Sequence, residues 1–364
     1  VADKPFRYQS EDEDSARWEG FEFRPGDIVI STRSKSGTTW MQMICALLVF
    51  GEPVLPAPLA KLSPWLDWLI TPRDQVLARL QAQQHRRFIK THTPLDGVPR
   101  DPRATYIVVG RHPLDMAVSL YHQSGNINRE RVTELTGRCG PEDPRQPGPG
   151  LHEWLVSWID SQDRPDEQLD SLPGVMWHLS DAWARRTSPA RSLVEKSMAP
   201  EGPEVPGGTE VSAGAEMSEG AGAPEEPAGP AVVLVHYDDL SADLDGQMRR
   251  LAELLGITVP EAKWPALVQA ATFGQMRASA AAQAPDPSGI LKDPAAFFRR
   301  GYSGAGHEEL RPAELARYYA RTRRLAPPYL LDWLHRGQDV SGVSGTEVPA
   351  LPAGDGRMKS TVAG

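Results

Sequence analysis

The chain has 364 residues (39.9 kDa), 40% hydrophobic and 24% charged, with ten tryptophans; that suits a sizeable buried core and excludes a wholly disordered or fibrous protein. Its net charge of −9 argues against general nucleic-acid binding, yet seven glutamates and no Lys or Arg lie between Ser197 and Pro230. Without that stretch the charge is about −2, so only the placement of basic residues decides whether an anionic ligand has a local pocket.

In chain order, residues 1–17 are polar and acidic and are expected to form a flexible arm, with Trp18 and Phe21 docking where the body begins. Asp27-Ile28-Val29-Ile30-Ser31 reads as a short buried strand, and Thr39 to Phe50, apolar on nearly every side, as a buried helix. Arg87-Phe88-Ile89-Lys90 is a strand end, and Ala104 to Gly110 a clearer strand. A helix from Pro113 to Tyr121 follows, its proline in the first turn where the missing N–H costs little. Leu151 to Asp160 is helical with Trp154 and Trp158 on one face, and Leu179 to Arg186 ends another helix. Residues 188–230, rich in Pro, Gly and Glu, cannot bury enough apolar surface to offset their chain entropy and are expected as a disordered insertion. Strand Ala231 to His236 comes next, then an amphipathic helix to Leu255; residues 337–364 are expected as a flexible tail. Strands alternating with helices predict one α/β domain over 18–336, its central, mostly parallel sheet flanked by helices on both faces. The longest apolar run, Met43 to Phe50, is too short to cross a bilayer, and Val1-Ala2-Asp3-Lys4-Pro5 opens no signal peptide. Two cysteines, Cys45 and Cys139, argue against a disulfide scaffold or a Cys-based zinc site, so a cytoplasmic setting is expected.

Two strand-to-helix junctions carry chemistry. Ser34-Lys35-Ser36-Gly37-Thr38-Thr39-Trp40 lies at the carboxyl edge of the sheet, where ligands bind. Gly37 allows a tight turn, Ser36, Thr38 and Thr39 supply hydroxyls, the helix N-terminus adds partial positive charge and Lys35 a full one. The Walker A spacing is absent, since Ser34 stands where it requires the glycine before the lysine. At the second junction Arg111 follows a strand end and Ser119 comes two helical turns later; Arg grips phosphate with a fork of donors. Two anion sites on separate strand ends imply a nucleoside carrying phosphates at both ends. Taken alone, each junction also reads as an ordinary helix cap.

Together these segments resemble the cytosolic sulfotransferases that use 3′-phosphoadenosine 5′-phosphosulfate (PAPS). Lys35-Ser36-Gly37-Thr38-Thr39-Trp40 is similar to their 5′-phosphosulfate loop, Arg111 through Ser119 to their 3′-phosphate motif, and Lys90-Thr91-His92-Thr93-Pro94 to the segment bearing the catalytic histidine. Tyr237-Asp238-Asp239-Leu240 resembles their strand-end tyrosine motif, Thr272-Phe273-Gly274-Gln275-Met276 their adenine-side segment, and Phe297-Phe298-Arg299-Arg300-Gly301 their cofactor-capping loop. The wording from Gln84 to Gly97, and Ser63-Pro64-Trp65-Leu66-Asp67, looks most like actinobacterial glycolipid sulfotransferases.

The resemblance implies PAPS as co-substrate, no metal, and a hydroxyl acceptor, a glycolipid or related secondary metabolite. It implies His92 as general base, an imidazole titrating near neutrality. Lys35 would stabilise charge growing on the leaving nucleotide, Lys90 would assist from the same side of an extended segment, and Ser119 would hold Lys35 back until an acceptor arrives. Cofactor contacts are expected from Lys35, Ser36, Gly37, Thr38, Thr39, Trp40, Arg111, Ser119, Tyr237, Thr272, Phe273, Met276, Phe298, Arg299, Arg300 and Gly301. Two departures stand out. Gly304 is followed by Ala305-Gly306-His307, without the family's lysine, and no dimerisation motif falls near Arg311-Pro312-Ala313-Glu314, so a homodimer would use another surface. Trp65, Trp68, Trp154, Trp158 and Trp177 are candidates for an acceptor pocket, with core packing as the plainer reading. His112, His122, His152, His178, His236 and His307 read as structural. The competing functions are a small-molecule kinase with an atypical phosphate loop, a phenol or alcohol sulfotransferase, and a non-catalytic nucleotide-binding protein.

Overall fold

Four short strands, β1 (Ile28–Ser31), β2 (Phe88–Thr91), β3 (Thr105–Gly110) and β4 (Ala231–His236), form one sheet in the order β2-β1-β3-β4. Every neighbouring pair is parallel, with Ile30 beside Lys90 and Ile107, and Gly110 beside His236. The computed structural model describes residues 4–137, 148–186, 231–280, 286, 288–299, 301 and 303–336. The expected insertion at 188–230, the expected tail from 337, Cys139 and Arg300 lie outside the described residues.

The strand sequences are mainly apolar because both faces are covered, as a parallel sheet requires, and turn polar at the carboxyl ends with Ser31, Lys90, Thr91 and His236. Alternate side chains enter opposite cores. Val29, Ile89, Tyr106, Val108 and Val232 pack against one set of helices, and Ile28, Ile30, Phe88, Ile107, Val109 and Val235 against the other. Helix α1 (Thr38–Phe50) is buried from Thr38 to Leu48, which explains its lack of a polar face. It starts on Gly37 and stops on Gly51, both left-handed, at φ 106° and 63°.

Several boundaries shift. The helix after β3 runs on to Asn126 (α4 hereafter, Pro113–Asn126), and the helix ending near Arg186 begins at Leu172. The amphipathic stretch after β4 is two helices, Tyr237–Ala242 and Leu244–Leu254, because Asp243 leaves helical geometry and its carboxylate accepts the Gly246 N–H at 2.9 Å. The expectation of a loose arm over residues 1–17 is corrected from residue 4 onward. Tyr8, Ser15 and Arg17 are buried, and the Phe6 N–H bonds the Asp96 carbonyl at 2.9 Å. The Tyr8 hydroxyl reaches the Asp96 carboxylate and accepts the Trp177 indole N–H at 2.8 Å. Acidic residues disguised this segment: its polarity reflects partners on the body rather than solvent. No helix among the described residues is long and apolar enough to cross a membrane.

Candidate active site

The carboxyl ends of the four strands open onto a single cavity of about 480 Å³. Strand order sets the order of chemistry along its floor: Lys90 and His92 at the end of β2, the Lys35 loop after β1, Arg111 after β3 and Tyr237 after β4. Neither sequence distance nor motif content fixes that arrangement; parallel pairing does.

The loop between β1 and α1 turns through two left-handed residues, Lys35 (φ 62°) and Gly37 (φ 106°). A Cβ at Gly37 would meet the Tyr237 ring at 3.1 Å, so glycine is required both by conformation and by space. The Lys35 ammonium lies 3.6 Å above the Phe297 ring and donates to Gln123 Oε1 at 3.3 Å. Burial, with Arg111, Lys90 and Arg299 nearby, pushes its pKa down to about 7. Gln123 and Phe297 are thus the side chains that Lys35 meets, and Ser119 lines the same cavity.

Arg111 reaches under the loop, donating to the Lys35 carbonyl at 3.0 Å while its guanidinium stacks 4.4 Å from the Tyr237 ring centre. Its Nε is buried without a partner among the described residues. Trp40 is fixed by its indole N–H on the Ala271 carbonyl at 2.8 Å and meets Tyr237 edge-on. Tyr237, Phe273, Met276, Phe298, Arg299 and Gly301 line the same end. Gly301 has φ 73°, and a Cβ there would sit 2.6 Å from the Phe273 ring.

On the other side, His92 is buried and its Nδ1 bonds the Thr32 carbonyl. A carbonyl only accepts, so Nδ1 carries the proton and Nε2 keeps its lone pair. Burial, then Lys90 and Arg33, hold the His92 pKa well below its ordinary value. Lys90 rests 3.5 Å over the Trp65 ring, and burial brings its pKa down to about 8. The His92 ring meets Trp65 at 80°, with 4.7 Å between centres, and Trp68 stacks on Trp65 at 4.9 Å. Arg33 bonds the His92 carbonyl and the Asp170 carboxylate, and the Asp67 carboxylate ties the Thr91 and Thr93 hydroxyls.

Of the residues expected from sequence, Lys35, Gly37, Thr38, Thr39, Trp40, Lys90, His92, Arg111, Ser119, Tyr237, Phe273, Met276, Phe298, Arg299 and Gly301 line one cavity. Ser36 is buried beside it, and Thr272 caps its own helix, accepting the Gln275 N–H at 3.3 Å; neither is in the wall. Trp65 and Trp68 line the cavity, whereas Trp154 and Trp158 belong to the core and Trp177 is exposed against Tyr8. Sequence reasoning missed Glu13, Gln123, Asp170 and Phe297. Phe297 alone carried a readable signal, its place in the late Phe297-Phe298-Arg299 run.

Five basic side chains, Lys35, Lys90, Arg111, Arg129 and Arg299, around a cavity walled by aromatic rings, with the orphaned Arg111 Nε and the two glycine cradles, fit a nucleotide with separated anionic groups. The class defined by this fold and site is an α/β protein with a P-loop-like anion cradle and an imidazole facing it. The family profile of the sulfotransferase domain matches residues 25–189 and 227–326. A glycolipid sulfotransferase of Mycobacterium bovis is 38% identical over 349 residues, covering 91% of this chain and 94% of its own length. One from Mycobacterium tuberculosis is 37% identical with the same coverage. The crystal structure of retinol dehydratase with androsterone and the inactive cofactor PAP superposes at TM-score 0.56 and 18% identity, over 85% of this chain and 83% of that one. Mouse sulfotransferase SULT7A1 complexed with PAP gives 0.51 and 16%, over 92% and 95%. The chain belongs to the sulfotransferase family. It is a PAPS-dependent transferase.

Proposed function

We propose that this protein transfers the sulfuryl group of PAPS to a hydroxyl of a glycolipid, with His92 removing the hydroxyl proton. The observation that carries the reading is the enclosure of Lys35, Arg111 and His92 in one cavity at three neighbouring strand ends. PAPS supplies the sulfuryl group. Arg111 and the loop around Gly37 hold its two anionic ends apart, and Trp40, Tyr237, Phe273 and Met276 offer apolar walls to the base. Lys35 faces the charge that develops on the departing nucleotide oxygen, stabilising the transition state more than the ground state. His92 Nε2 takes the acceptor proton, and its Nδ1–H on Thr32 keeps the ring in the tautomer that can do so. Lys90 positions the acceptor oxygen from the face of Trp65.

The glycolipid assignment is supported by the mycobacterial relatives and by an apolar stretch of cavity, Ile70, Leu120, Ile127, Val132, Ile290 and Leu291, suited to an alkyl chain. A cytoplasmic setting is supported by the buried free thiol of Cys45. The test is turnover of labelled PAPS with a panel of glycolipid acceptors in the absence of Mg²⁺. Transfer of label to a glycolipid supports the reading; a requirement for Mg-ATP, or transfer to phenols alone, overturns it.

A further inference from the structure

Beside Lys90 and His92 the cavity wall carries the Trp65 indole and the Glu13 carboxyl. The Trp65 indole N–H is buried and has no acceptor among the described residues. The Glu13 carboxylate lines the same cavity and accepts no hydrogen bond from them; its basic neighbours are Arg33 and Lys90, and Asp67 and Asp170 also stand near. Glu13 is held there firmly. Its backbone bridges to Trp68, the Asp14 N–H bonds the Asp67 carbonyl at 2.9 Å, and the Leu69 N–H bonds the Asp12 carbonyl at 2.8 Å. Those contacts zip residues 12–14 against 67–69 and put the carboxylate beside the Lys90–Trp65–His92 group.

A hydroxyl acceptor with one O–H uses it at His92 and leaves both groups unmatched. A ring with several hydroxyls at fixed spacing matches both, since each hydroxyl donates and accepts. From this we infer that Glu13 and Trp65 select a polyhydroxylated acceptor, a sugar ring, by bonding hydroxyls next to the one that reacts. One neighbouring hydroxyl donates to Glu13, and another accepts from Trp65 Nε1. This rests on the proposed sulfuryl transfer and names the chemistry by which the acceptor is chosen. A site that must bond a substrate hydroxyl discriminates strongly against analogues without it, because its own polar groups are then stranded.

The experiment compares kcat/KM for n-octyl β-D-glucopyranoside and for 4-nitrophenol, with labelled PAPS and the full chain, in the wild type, Glu13→Leu and Trp65→Phe. The wild type is expected to prefer the glucoside, and each variant to lower the glucoside-to-phenol ratio by roughly tenfold to a hundredfold. Both acceptors are read on one preparation, so the ratio is independent of the folded fraction. A ratio that stays at the wild-type value in both variants overturns the inference. A wild type that sulfates 4-nitrophenol but not the glucoside overturns it while leaving sulfuryl transfer standing. A wild type that transfers to neither overturns the transfer itself.

Discussion

Lys35 is a buried cation among cations, and that has a measurable consequence. At about pH 8 the free protein holds Lys35 largely neutral, since its pKa lies at about 7. An anion beside it favours the charged form, so binding of 3′,5′-bisphosphoadenosine takes up a proton, and affinity rises as the pH falls from about 9 to about 7. Calorimetry in buffers of different ionisation enthalpy measures the uptake; its absence means Lys35 does not face the nucleotide. Substitutions separate the roles further. Lys35→Ala should cut turnover more than nucleotide affinity, Arg111→Ala the reverse, and His92→Ala should lower kcat by about 10²-fold or more. Steady-state kinetics with parallel nucleotide titrations checks all three, and equal effects on both parameters would remove the assignment. His92 and Lys35 were legible because each sits in a short pattern whose chemistry is local. Glu13, Gln123 and Asp170 were not, because each joins the cavity only through tertiary pairing, and nothing in the residues around them shows the partner.

At the scale of elements, the strands were read nearly residue for residue because burial on both faces writes a continuous apolar run bounded by turn residues. Helix ends were harder, as with Asp243, where a single side-chain cap divides one amphipathic pattern into two helices. The departure after Gly301 is also resolved at this scale. In place of a lysine, the loop is tied to the helix that follows Arg111: both oxygens of Asp115 accept backbone N–H groups, from Gly304 at 2.8 Å and Gly306 at 3.0 Å. Ser303 bonds Asp238 in the helix that follows β4, and a Cβ at Gly306 would collide with Leu114. Asp115→Ala strands the buried Gly306 N–H and the half-buried Gly304 N–H and is expected to destabilise the fold by about 2–3 kcal/mol and to weaken nucleotide binding through Arg299 and Gly301. Denaturant unfolding with and without 3′,5′-bisphosphoadenosine tests this; unchanged affinity would show the tie to be structural only.

Across the whole molecule, a set of histidines joins the sheet to its C-terminal helices, Pro312–Leu325 and Pro328–His335. His112 lies 4.9 Å from His307 and 5.0 Å from His335 between ring centres, Tyr318 bonds His335 at 2.9 Å, and His236 donates to the Leu334 carbonyl at 3.1 Å. Burial holds His112 well below its ordinary pKa, and His236 and His307 below theirs. The unfolded chain binds protons below about pH 6.5 that the native state does not, so this stability is complete above that pH and is lost as the pH falls through it. Glu13 acts in the opposite sense, its carboxyl raised to about 8 by burial, so stability declines from its unfolded value of 4.5 upward. With five histidines held low, His92, His112, His178, His236 and His307, against three carboxyls held high, Glu13, Asp67 and Asp96, the thermal midpoint should drop on acidification from about pH 7 to pH 5, and His112→Phe should flatten that slope. A midpoint that rises over this range would contradict the buried neutral cluster. The α/β class and parallel sheet were readable from alternation alone. This clustering was not, because its members come from four separate segments and none has a spacing that announces it.

The two substrates are met by parts of the chain with different obligations. In the proposed reaction the donor is gripped by strand ends and helix starts, which cannot move without disturbing both cores. The acceptor side includes residues 11–13, laid on the surface of that framework by a few backbone bonds. Exchanging this stretch between relatives is thus a route to new acceptor ranges with the sulfate-donating machinery left whole, a modularity within one domain rather than between two.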